Sequence, residues 1–193
     1  MEQTKANIKL IKIFLLCFFS YTAMAAERKP VAAATIQVLG TTLTLKEEKK
    51  LPKQYLGEYI SSEESFDNFT KMFAIWGRLD GQDAITQVKA KVQFVNARKG
   101  TDPVANYKLF IGDDKKSYGL DFMISEGGVI EHNVWNYTNI NSGVLSYQFV
   151  RRHYEGKSAQ SAQDFIKSAP QVGSEVLTFF KTGSLPKPEG YEK

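Results

Sequence analysis

Apolar and polar residues alternate with a period of two across residues 104–154, and the alternation breaks at 112–116, at Glu126-Gly127-Gly128 and at Asn141-Ser142-Gly143. Side chains of an extended strand point to its two faces in turn, while glycine, asparagine and aspartate favour reversals. The pattern therefore predicts four consecutive antiparallel strands. Upstream, residues 35–45 predict one bent strand or a short hairpin about Gly40, and residues 54–61 and 71–79 predict two further strands. Between those two, residues 65–70 predict a helical turn. From Asp83 the period lengthens: Ile85, Val88, Val92 and Val95 fall on one side of a helix whose other side carries Lys89, Lys91 and Arg98, and Gly100 ends it. Residues 158–169 and 170–180 predict two more helical segments, the second begun by Pro170, with Phe165, Ile166, Val176, Leu177 and Phe180 as packing residues. The expected fold is α+β, an antiparallel sheet with a four-stranded C-terminal meander and the helices packed on one face.

A three-residue loop at Glu126-Gly127-Gly128 sets Ile124 opposite Ile130, Phe122 opposite His132 and Leu120 opposite Val134. That register gathers Tyr107, Leu109, Ile111, Tyr118, Leu145, Tyr147 and Phe149 on the same side, which makes it the expected core face. The opposite face then carries Asp121, Glu131, Asn133, Trp135, Gln148 and Arg152, together with Phe110, Met123, Tyr137 and Tyr154. An aromatic anchor among a few directional polar groups is what recognition sites use. Asp121, Glu131, Asn133, Trp135, Gln148 and Arg152 are accordingly the candidate ligand-binding residues, and His132 is expected to be packed inside.

The first residues follow a different pattern. Lys5, Lys9 and Lys12 precede an apolar run through Tyr21, and Ala23-Met24-Ala25 offers a small-x-small cleavage site. Residues 1–25 are expected to be a signal peptide cleaved after Ala25, which places the mature protein in the periplasm or outside the cell. The run is too short to span a bilayer, for which about 20 apolar residues are needed, so no transmembrane segment is expected in the mature chain. Cys17 lies inside the run behind Leu16, where lipidation would require a small residue. Residues 26–34 read as a flexible lead-in, 35–182 as a single α+β domain and 183–193, with Gly183, Pro186, Pro188 and Gly190, as a flexible tail.

Composition narrows the chemistry. Cys17 is the sole cysteine, so cleavage leaves no thiol, disulfide or thiolate ligand. The formal net charge of +4 contains Lys5, Lys9 and Lys12, and no long block of like charge remains beyond them, so a nucleic-acid footprint is not expected. Two histidines, His132 and His153, do not make a zinc site, and neither accompanies a serine nucleophile elbow. Asp113-Asp114 lacks the spacing of a calcium loop and reads as a charged turn. No metal, cofactor or catalytic residue is assigned. Asp121 and Glu131, expected on one face of neighbouring strands, leave open a carboxylate-dependent hydrolase, although Arg152 across the next hairpin would hold Glu131 as an ion-pair partner.

The segment GEYISSEESFDNFTKMFAIW, Gly57 to Trp76, resembles a stretch found in secreted bacterial proteins of unassigned function, and DFMISEGGVIEHNVWNY is similar in character. The resemblance implies an exported α+β domain and carries no activity. The reading that emerges is an exported, non-catalytic binding or accessory protein of the bacterial envelope or secretome, whose partner is a protein or small molecule. A carboxylate-dependent hydrolase, or a secreted factor binding a host protein, are the alternatives.

Overall fold

The computed structural model describes residues 33–113, 115–156 and 158–191. The expected signal peptide, most of the lead-in and Asp114 of the charged turn lie outside the described residues. Eight strands, β1 (Thr35–Val38), β2 (Thr41–Leu51), β3 (Gln54–Ile60), β4 (Lys71–Arg78), β5 (Asn106–Ile111), β6 (Ser117–Glu126), β7 (Val129–Ile140) and β8 (Gly143–Tyr154), are accompanied by two helices, α1 (Ala84–Arg98) and α2 (Ala159–Thr182). All pairings are antiparallel, and the strands form one sheet in the order β1-β2-β3-β4-β8-β7-β6-β5. No described helix is long and apolar enough to cross a membrane.

This architecture corrects the expected fold. The last four strands do lie side by side, but as half of a single eight-stranded sheet, joined to the first half where β4 pairs with β8. The helices do not share a face. Val88 and Val95 of α1 are buried with Leu120, Phe122, Trp135 and Tyr137 on one side, whereas Val176, Leu177 and Phe180 of α2 are buried with Phe73, Ile75, Val134, Tyr147 and Phe149 on the other. A sheet covered by helices on both sides must be apolar on both sides, and a search for one core face misassigns half of its residues.

The β6–β7 turn is the origin of the misassignment. Gly127 and Gly128 both have positive φ, 57° and 80°, the geometry of a two-residue turn, and Glu126 pairs directly with Val129. Ile124 therefore opposes Glu131, Phe122 opposes Asn133 and Leu120 opposes Trp135. The one-residue difference from a three-residue loop inverts β7 relative to β6: Leu120 and Phe122 join Trp135 on the α1 face, and His132 and Val134 join Asp121 on the α2 face.

Local sequence explains the helices. Asp83 caps α1 by accepting a bond from the Thr86 N–H at 2.9 Å, and Asn139 Oδ1 accepts the Ala84 N–H at 2.7 Å, which ties the helix start to β7. Ser158 caps α2. The expected break at Pro170 does not occur: α2 continues through it as one helix of 24 residues. Proline removes an intrahelical bond, and the burial of Ala169, Val176, Leu177 and Phe180 along one stripe offsets that loss. Residues 184–191 form no helix or strand, but the Tyr147 hydroxyl donates to Pro186 O at 3.1 Å and Tyr191 is buried over Gly77, where a Cβ would come within 2.3 Å of its ring.

Candidate functional site

The six candidate residues divide between the two faces. Glu131, Asn133 and Trp135 of β7 alternate onto the α1 side and face Arg152, Val150 and Gln148 of β8. Asp121 is on the α2 side, so the expected grouping of Asp121 with the other five is corrected. Asp121 and Glu131 point to opposite sides of the sheet and cannot act together on one glycosidic bond.

On the α1 side the polar groups form a continuous chain across three strands. Trp76 Nε1 donates to Gln148 Oε1 at 3.1 Å, Gln148 Nε2 to Asn133 Oδ1 at 2.8 Å, Asn133 Nδ2 to Glu131 Oε1 at 2.8 Å, and Arg152 Nε to Glu131 Oε2 at 2.8 Å. Asn133 and Gln148 are buried, whereas the side chains of Glu131 and Arg152 keep 22% and 15% exposure, so the chain runs from the interior to a partly open end. There the Arg152 guanidinium lies 3.8 Å from the centroid of buried Phe69, whose carbonyl accepts the Tyr154 hydroxyl. Each amide has one orientation that satisfies both neighbours, and this fixes the Glu131 carboxylate in place.

Trp135 is packed, at 5% exposure, with its ring 5.2 Å from Tyr137 and nearly parallel to it. It is therefore a packing residue and not an exposed anchor. Lys91, expected on the wet side of α1, is half-buried and carries its Nζ to 4.8 Å from the Trp135 centroid. Burial lowers the Lys91 pKa, and Glu131 acts in the opposite sense. Trp135 Nε1 and the Tyr137 hydroxyl, both buried, have no protein hydrogen-bond partner.

Glu58 belongs to the same face, in the cross-strand row Glu58, Ala74, Gln148, Trp135. It is buried, and Glu47 opposes it on β2, itself 2.6 Å from Lys49 Nζ. Burial first, then the charge and hydrogen bond of Glu47, push the Glu58 carboxyl up to about 7. Between the ordinary glutamate range and about pH 7 the folded chain keeps a proton that the unfolded chain has released. Stability contributed by neutral Glu58 is thus complete in acid and falls as pH rises through that window. Glu58→Gln should flatten the dependence, gaining about 1–3 kcal/mol relative to wild type between roughly pH 5 and pH 7.5. Urea unfolding at the two pH values measures it, and an unchanged slope would show that Glu58 ionises alike in both states.

The α2 face holds a second polar cluster. His132, fully buried, has Nε2 at 2.7 Å from Asp121 Oδ1, while the Arg151 Nε approaches His132 Nδ1 at 3.3 Å. Arg151 also reaches Ser168 Oγ of α2 at 3.3 Å and lies over the Phe165 ring. Because the guanidinium can only donate, Nδ1 is the acceptor and the Nε2 proton goes to Asp121. A Cβ on Gly173 would fall 1.9 Å from Asp121 Oδ2, so α2 closes directly over the cluster. His132 lies inside, as its place in the sequence pattern suggests, but among Asp121 and Arg151 and not beside Phe122. The serine, histidine and aspartate here do not form a nucleophilic triad, since Arg151 stands between Ser168 and His132.

Sequence reasoning did not find Trp76, Lys91, Arg151 or Ser168. Trp76 reaches Gln148 only through the β4–β8 pairing, which joins strands 72 positions apart at that bond. Among the described residues no group of three or more histidine, cysteine, aspartate or glutamate side chains is arranged to hold a metal ion.

No curated protein matches the chain. Residues 31–181, most of the chain and nearly all of the sheet and both helices, match the model of one family of uncharacterised proteins. The chain belongs to that family.

Proposed function

We propose that the protein is an exported, non-catalytic binding protein of the bacterial envelope or secretome, and that it takes its ligand at the open end of the α1-side polar chain. The observation that carries this reading is the bonded sequence Trp76, Gln148, Asn133, Glu131, Arg152, whose buried half holds a carboxylate and a guanidinium in fixed positions near the surface. A pre-set pair of opposite charges beside Phe69 suits a ligand that presents both a donor and an acceptor, such as a peptide backbone or a zwitterionic small molecule. Asp121 takes no part in the site.

The test begins with chain isolated from the exported fraction, whose intact mass should correspond to a start at Ala26; a mass retaining residues 1–25 overturns the export reading. Thermal-shift screening against peptides and zwitterionic small molecules then supplies hits for titration. Arg152→Ala and Glu131→Gln should each weaken a hit at least tenfold, about 1.4 kcal/mol, in variants shown by circular dichroism to be folded. Hits that bind wild type and both variants equally would remove the site.

A further inference from the structure

From the exposed edge of β5 we infer that two copies of this chain associate by pairing β5 with β5, antiparallel, in a register centred on Leu109. Among the described residues β5 and β1 end the sheet. They differ in what they offer. The apolar side chains of β1, Ile36 and Val38, are buried, whereas on β5 Leu109 is 40% and Ile111 62% exposed. An edge strand presenting apolar side chains beside unpaired backbone groups is a template for another strand.

Backbone direction selects the pairing. The Gly112 N–H donates to Ser117 O at 2.8 Å, toward β6. Alternation turns the peptide groups of Phe110, Lys108 and Asn106 the same way, so those of Ile111, Leu109 and Tyr107 point to the free edge. The Tyr107 N–H is met there by Asn106 Oδ1 at 2.9 Å, a contact that a second strand would replace. Tyr107, Leu109 and Ile111 are symmetric about Leu109, so a two-fold axis through that position pairs Leu109 with itself and Tyr107 with Ile111 of the second copy. Each of these residues then exchanges backbone hydrogen bonds across the axis.

Side chains favour the same register. On the α1 face it makes a continuous stripe of Tyr107, Leu109 and Ile111 from both copies. On the α2 face it sets Lys108 opposite Phe110 of the second copy, repeating the contact already present within one copy, where Lys108 Nζ lies 4.9 Å from the Phe110 ring. Moving the axis to Lys108 would bring two ammonium groups directly opposite each other. The contact is isologous and closes at two copies.

The experiment is sedimentation and light scattering of the exported chain over a range of concentrations. Wild type should shift from monomer to dimer, and Leu109→Lys and Ile111→Lys should each raise the dissociation constant at least tenfold. Leu109→Cys, with Cys17 replaced by Ser if the chain retains it, should form a disulfide dimer on oxidation, whereas Lys108→Cys should not. A wild-type monomer at all concentrations overturns the inference. So does a dimer insensitive to the lysine variants, or equal cross-linking at positions 108 and 109. Recovery of β5 bound to an unrelated peptide strand would assign the edge to a different partner and likewise overturn it.

Discussion

Replacing His132 by leucine is expected to lower folding stability by about 3 kcal/mol or more, although leucine is comparable in bulk and the site is fully buried. The imidazole bridges Asp121 Oδ1, at 2.7 Å, and the Arg151 guanidinium, at 3.2–3.3 Å. Leucine would leave a carboxylate and a guanidinium facing an apolar side chain under α2, and removing one member of such an arrangement costs far more than the net value of its hydrogen bonds. His132→Asn, which can still donate and accept over a shorter reach, should lose about 1–3 kcal/mol. Urea denaturation of the two variants gives the order directly. Leucine equal to or better than asparagine would mean that packing, and not the polar relay, sets the preference for histidine. Neither change should affect binding at the site proposed on the α1 face, because the sheet lies between.

The second large effect is expected at Gly143, where β8 leaves the turn from β7. A Cβ built there would stand 1.8 Å from the Arg78 carbonyl oxygen and 2.8 Å from its carbon. Both are backbone atoms at the end of β4, next to the Arg78–Val144 pair, and they cannot move without opening the junction between the two halves of the sheet. Gly143→Ala should cost about 3 kcal/mol, at the upper end of ordinary overpacking, which for a chain of this size is a fall in Tm of roughly 6–12 °C. Gly100 is the natural control, since a Cβ there meets nothing within 4 Å and its φ is not positive. Gly100→Ala should therefore be within about 0.5 kcal/mol of wild type. Calorimetry on the pair distinguishes a steric effect from a general loss of glycine.

Much of the local structure can be read in the residues themselves. Period-two alternation marks the last four strands, turn formers mark their ends, and Asp83, Val88, Val95 and Gly100 delimit α1. The pairing of Glu131 with Arg152 also follows, because the two residues fall on the same side of the alternation in β7 and β8, although the expected break at Asn141-Ser142-Gly143 includes Gly143, which opens β8 and pairs with Ile140. Gly127-Gly128 is the more informative signal: two adjacent glycines suit a two-residue turn with both φ positive, and a turn of that length puts Asp121 and Glu131 on opposite faces. The candidate site was thus legible within one strand and its neighbour, and was wrong where it depended on a register one residue different.

What the sequence by itself determined, then, is what depends on neighbours along the chain: strand and helix periods, the places where the chain reverses, and the inward placement of His132. Tertiary structure alone decided the joining of β4 to β8, the helices on opposite faces, the passage of α2 through Pro170 and the contact of Trp76 with Gln148. Each of these rests on burial between segments far apart in sequence. Alternation says that two faces exist and that residues take turns between them, but not which face a helix will cover. When both are covered, apolar residues on each side look alike until the packing partners are in place.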